Sequence, residues 1–183
     1  MNAPRDPEGR KRQIARAAYE LLPEVGVGGL THRLVAARAE VPLGATTYYY
    51  KTLDDLIAAG LAHATAVLLD GLAAWAEVIA AGADLADTLA DLTADYLRDR
   101  PRILVETELY LAAAHRPGLR PMARAWIDGL TGILTAHVSP DAARAAVVFI
   151  DGAVVYALIC DRPIDTATLR ESLAALLGAH RTA

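Results

Sequence analysis

Apolar side chains recur at helical spacing along almost the whole chain. Ile14, Ala17, Ala18, Leu21 and Leu22 share one face of a helix opening near Gly9, with Arg10, Lys11, Arg12 and Arg16 at its N-terminal end. Gly26-Val27-Gly28-Gly29 predicts its end. Leu34, Val35, Ala37 and Val41 mark a short second helix, with Thr31 where an N-cap belongs. Pro42 disfavours helical geometry in the residue before it, so Glu40–Gly44 reads as a turn. A third short helix carries Ala45 to Tyr50, and Thr52-Leu53-Asp54-Asp55 opens a long fourth with a capping-box pattern. Leu56, Ile57, Leu61, Ala64, Leu68, Leu72, Trp75 and Ile79 trace one stripe along it, as far as the break at Ala81-Gly82-Ala83. Further helices are predicted from Asp84, from Pro101 to about Ala114, over Leu119–Val138, from Ser139 through residues 140–160, and from Asp165 or Thr166 onward. Residues 140–160 are apolar nearly all round, which predicts burial on most sides. Nothing reads as a strand, so the fold class is all-α.

Residues 30–56 form helix, tight turn, helix, then the start of a longer helix. The second short helix is coated with hydroxyls, small side chains and aromatics, a surface suited to a major groove. Three consecutive tyrosines, Tyr48, Tyr49 and Tyr50, span most of a helix circumference, so at least one is exposed; Tyr50 is the one expected to face the core.

The stretches GRKRQIARAAYELLPEVG, LTHRLVAARAEV and PLGATTYYYKTLDDL together resemble the TetR-type (tetracycline-repressor-like) transcriptional regulators. The resemblance covers roughly residues 10–60. It implies a three-helix helix-turn-helix head at 9–52 and a larger ligand-binding and dimerisation body of about six helices at 53–183; residues 1–8, with two prolines and no apolar periodicity, read as a disordered arm. It also implies repression relieved by a small-molecule effector. The expected DNA-contacting set is Thr31, His32, Arg33, Leu43, Gly44, Ala45, Thr46, Thr47, Tyr48, Tyr49 and Lys51. In this set Thr46, Thr47, Tyr48 and Tyr49 face the groove, and Thr31, Arg33 and Lys51 hold phosphates. The chain departs from the family where Glu40 replaces the usual turn glycine, Thr47 a frequent tyrosine and Leu53 a frequent lysine.

Charge refines this picture. The net charge is −4, but residues 1–51 hold eight Arg/Lys against five Asp/Glu, and the remainder ten against seventeen. A cationic head on an anionic body suits a phosphate-binding module joined to a regulatory domain. Hydrophobic content of 54% and a mean hydropathy of +0.26 suggest apolar surface kept for a partner. A homodimer through the last two helices is expected, with Val147 and Leu173 as its test positions, reading an inverted-repeat operator on double-stranded DNA. The longest apolar run, Ala145–Cys160, falls short of the roughly 20 residues that span a bilayer, so no membrane association and a cytoplasmic location are expected. Cys160, the single cysteine, reads as a buried thiol.

No nucleophile–base pattern, metal-ligand spacing or nucleotide loop is present, so neither catalysis nor a cofactor or metal is expected. Three acids at apolar positions, Glu108, Asp128 and Asp151, are candidates for meeting a polar or cationic ligand group. The candidate pocket is Tyr96, Glu108, Tyr110, Trp126 and Asp151, and its effector a mostly apolar or aromatic small molecule. The alternative reading is a helical small-molecule-binding module without specific DNA binding.

Overall fold

The first helix starts earlier than the periodicity predicts. The Asp6 carboxylate accepts a hydrogen bond from Gly9 N at 2.8 Å, and Pro7 takes a first-turn position whose N–H has no helical partner in any case. Helix α1 (Pro7–Gly29) therefore takes in Pro7 and Glu8 of the stretch expected to be an arm. The structure, a computed structural model, describes residues 6–178 except 83 and 163; residues 1–5 of the expected arm lie outside the described residues. Near its end α1 breaks at Gly26, whose φ of 65° is open to glycine and strained for other residues.

Helix α2 (His32–Arg38) is capped by Thr31, whose hydroxyl accepts from Leu34 N. It ends in a Schellman motif: Val41 N donates to Ala36 O at 3.0 Å and Glu40 N to Ala37 O at 3.2 Å. That motif needs a left-handed residue, and Glu40 supplies it with φ 51°. The departure from glycine at this position is thus strained and keeps the ordinary turn. Helix α3 (Leu43–Tyr49) follows, and Tyr50 turns inward to donate its hydroxyl to Lys11 O at 3.2 Å. Helix α4 (Leu53–Ala81) opens with both halves of the capping box in place.

The body comprises α5 (Leu85–Arg98), α6 (Arg100–His115), a 3-10 turn at Pro117–Leu119, α7 (Arg120–Leu134), α8 (Pro140–Ile159) and α9 (Thr166–Gly178). The described residues contain nine α-helices and no strand, an all-α head and body. Helix α7 stops at Leu134, short of Val138, and residues 135–137 form a turn.

Two apolar clusters organise these helices. One joins α1, α2 and the first half of α4 to Val105 and Leu109 of α6 and Ala123 of α7. The other joins the second half of α4 to α5, α7, α8 and α9. The α4 stripe predicted from Leu56 to Ile79 is buried throughout and belongs to both. At Gly60 the backbones of α1 and α4 pass so closely that a Cβ would sit 3.0 Å from Ala18 Cβ. By length and composition alone α4 and α8 are long and apolar enough to cross a membrane, yet each packs one apolar face into these clusters.

Helix α8 corrects one expectation. It is not covered all round, because Val148 (69% exposed), Val155, Tyr156 and Ile159 (78% exposed) form an open apolar stripe. Cys160 follows that stripe and is exposed, not buried. Val147 and Leu173 are core residues, so charge there would test folding and not an interface.

Glu40→Gly removes the left-handed strain, partly offset by glycine's greater freedom in the unfolded chain. It should raise stability by up to about 1 kcal/mol in chemical denaturation. Gly60→Leu should lower stability by about 1–3 kcal/mol, because the added side chain drives α1 and α4 apart.

Candidate DNA-contacting face and ligand site

Helix α3 presents its outer face from a short, fully packed head. Tyr48 is 70% exposed, with Lys51 Nζ 5.3 Å from its ring centroid and the Tyr49 ring edge-on to it at 5.1 Å. Thr47, Leu43 and Gly44 are exposed on the same short helix, and nothing lies within 4 Å of where a Gly44 Cβ would stand. Thr31 and Arg33 are exposed on α2, and Ala45 is half-buried. Arg10 and Lys11 of α1 line the same open groove as Gly44, Ala45, Tyr48, Tyr49 and Lys51. The expected contact set omits both, although the cluster of cations at the start of α1 was visible in the sequence.

Thr46 is a correction. It is 0% exposed, and its hydroxyl donates to Leu43 O at 2.8 Å inside the head. His32 Nδ1 lies 3.2 Å from the same hydroxyl, so this half-buried ring ties α2 to α3. A seven-residue helix cannot expose every hydroxyl and still pack, and Thr46 fills the inward position.

In the body, Tyr96, Tyr110, Trp126 and Asp151 do come together, around a residue the sequence reading passed over. Glu106 is 4% exposed. Its carboxylate accepts from Tyr96 Oη on one oxygen and from Tyr110 Oη, at 2.8 Å, on the other. The Tyr110 hydroxyl also lies 3.4 Å from Asp151 Oδ1. Tyr96 stacks on Trp126 with centroids 5.6 Å apart, and Trp75 of α4 meets the two rings edge-on. Arg102 lays its guanidinium over the Tyr96 ring, 5.0 Å from the centroid, and packs against α4 at Gly71. A small cavity of about 20 Å³, room for one water, lies between α1, α4 and α6 beside Arg102 and Glu106.

Glu108 does not join this group. Its carboxylate accepts from Val27 N at 2.9 Å and secures the chain after the Gly26 break. Glu106 and Glu108 sit two positions apart, roughly opposite one another on a helix. Glu108 shares its helical face with Leu104, which is half-buried, and Leu111, which is exposed, so that face does not turn into the body. Asp128 is exposed.

The environment sets the protonation of the group. Burial pushes the Glu106 carboxyl above its ordinary range, against the phenol donors Tyr96 and Tyr110 and the nearby Arg102 charge. Burial, then the charge of Glu106, pushes Asp151 up to about 7. The same two causes raise both phenols far above their ordinary value, so Tyr96 and Tyr110 stay protonated donors.

Comparison with known proteins agrees with this architecture. Residues 80–179 match the family described as "Tetracyclin repressor-like, C-terminal domain". The multidrug binding protein EbrR, solved with imidazole, is 41% identical, with 92% of this chain and 94% of that chain covered and a TM-score of 0.79. The same protein also matches as its complexes with proflavin, ethidium and malachite green. A TetR-family member from Streptomyces coelicolor A3 is 41% identical, covering 92% of this chain and 98% of that one, with a TM-score of 0.81. The HTH-type transcriptional regulator PksA of Bacillus subtilis (strain 168) is 40% identical over 53 residues, which span 29% of this chain and 26% of that protein. The chain belongs to the TetR family of transcriptional regulators.

Proposed function

We propose that this regulator is a cytoplasmic homodimer that represses from an inverted-repeat operator and releases it when an aromatic cation enters the site around Glu106. In this reading residues 9–52 contact DNA, and residues 53–183 bind the effector and dimerise. The observation that carries the effector class is Glu106: a nearly buried carboxylate held by phenols beside Trp75, Tyr96 and Trp126, with no salt bridge among the described residues and the Arg102 guanidinium turned onto the Tyr96 ring. A cation entering there gains both a carboxylate and aromatic faces, which attract positive charge. Arg102 over Tyr96 is evidence that one such face accepts a cation. Proflavin, ethidium and malachite green, which EbrR holds, are aromatic cations.

Dimerisation is supported by the open stripe on α8 beside the small outer residues Ala174, Ala175 and Gly178 of α9. Two such helix pairs form a four-helix bundle around a two-fold axis, which sets two heads for successive major grooves. The switch runs through α4, which carries Trp75 into the aromatic cluster and begins just after α3. A ligand wedged against Trp75 displaces α4 and moves Tyr48 and Tyr49 out of register. For release, the ligand must favour the non-binding arrangement by about 1–3 kcal/mol.

Three measurements test these parts. Lys51→Ala should weaken binding to all DNA and lower the salt slope by about one, read by fluorescence anisotropy on the protein's own upstream region. Tyr48→Ala should instead lower affinity for operator more than for random DNA, and equal losses on both would count against base readout by α3. Val148→Arg and Ile159→Arg should each give a folded monomer in sedimentation with specific DNA binding lost. Glu106→Gln keeps shape and removes charge, so it should weaken ethidium at least about tenfold, or about 1.4 kcal/mol, by calorimetry; unchanged affinity would remove Glu106 from the site.

A further inference from the structure

The hydrogen bonds around Tyr110 leave one proton to be accounted for. A phenol has a single proton. Tyr110 Oη lies 2.8 Å from Glu106 Oε1 and 3.4 Å from Asp151 Oδ1, both oxygens that only accept when ionised. The phenol proton goes to Glu106 at 2.8 Å; the 3.4 Å to Asp151 is longer than an O–H···O hydrogen bond, so Asp151 gains little from Tyr110 while it faces the Glu106 charge across it, and it is the carboxyl that keeps its proton. Glu106 then remains the anion, with two phenol donors and the Arg102 guanidinium nearby.

The groups on each neighbouring element agree with this placement. Helix α5 offers Tyr96, whose hydroxyl is committed to Glu106. Helix α6 offers Glu106, which repels a second negative charge, and Arg102, which lies over Tyr96. Helix α7 offers the Trp126 N–H, which makes no full hydrogen bond but lies near enough to Asp151 to favour its charged form, an effect smaller than those of burial and the Glu106 charge. Helix α4 contributes Trp75, an apolar wall. On α9, Arg170 turns away to pair with Asp87 and Asp91. Among the described residues Asp151 therefore has a like charge close by and no cation paired with it.

We infer that effector binding at this site is a cation-for-proton exchange: the entering cation displaces the proton of Asp151 to the solvent. The inference rests on the aromatic-cation reading above. The balance is simple. The empty site holds Glu106 ionised, Asp151 neutral and the Arg102 guanidinium, no net charge in all. The filled site holds two carboxylates, Arg102 and the entering cation, again no net charge. The exchange spares the interior a second unpaired charge. The response to effector then depends on pH. Below the Asp151 pKa, near 7, a cation must compete with a bound proton, and its affinity falls about tenfold per pH unit; above it, affinity levels off.

The test is titration of the full-length protein with ethidium by calorimetry, in phosphate and in Tris, on both sides of neutrality. The expected result is release of about one proton per bound ethidium below neutrality, falling toward none above it. Infrared difference spectra of the unaltered protein should show a protonated carboxyl band that disappears on ethidium addition. Asp151→Asn should bind ethidium with an affinity that no longer changes across this range. If ethidium binds the unaltered protein with no proton released, and the carboxyl band is absent or unchanged, the exchange is wrong and the cation site stands. If ethidium does not bind at all, the exchange and the cation site both fall.

Discussion

Helix α4 has to satisfy two cores with a single stripe. Leu56, Ile57, Leu61 and Ala64 are buried among the head helices, while Leu68, Leu72, Trp75 and Ile79 are buried in the body. Both sets lie on one continuous face. Rotating the helix to improve one cluster would misplace side chains in the other, and close-packed interiors resist that. Glycines mark close approaches along α4: Gly60 against Ala18 of α1, Gly71 against the Arg102 guanidinium, and Gly129 of α7 against Leu72. The element that packs beneath the helix-turn-helix is therefore the one that carries Trp75 into the aromatic cluster around Glu106. A rigid connection of this kind needs no long chain of intermediates, because a displacement at one end is a displacement at the other.

Charge is divided by solvent exposure as well as by sign. The cations of the head, Arg10, Lys11, Arg33 and Lys51, are exposed. Water and salt screen them, so they contribute little to folding. The acids of the body site are withdrawn from water, where a charge interacts strongly with few partners. Surface ion pairs such as Arg16–Glu20 and Arg170–Asp87 add little in comparison. Stability rests on the two apolar clusters and on the helix caps at Thr31, Thr52, Asp84, Asp99 and Ser139, each cap contributing about 1 kcal/mol.

Helix starts were legible because capping is local chemistry. Thr31, Thr52, Asp84 and Ser139 cap where the residue pattern places them. The start of α1 was misjudged because Pro7 and Glu8 lack apolar periodicity, although Asp6 and Pro7 carry a capping signal of their own. The α4 stripe was also legible, since its polar and apolar positions alternate with a clear phase. The head was recognisable for the same reason: its motif is a run of neighbouring residues.

Alone, then, the chain determines an all-α fold, the helix-turn-helix, the division of charge and most helix boundaries. Tertiary packing decided three things: which acid of α6 turns inward, that Thr46 rather than its neighbours fills the head, and which side of α8 stays open. The physical reason is shared. On α6 and α8 apolar residues occur all round the helix, so no local pattern fixes its rotation. The rotation is chosen by the surrounding helices, whose Tyr96, Trp75, Trp126 and Asp151 give Glu106 the donors and aromatic walls that make burial of its carboxylate tolerable. Those partners come from four other helices, and only the folded arrangement brings them within reach.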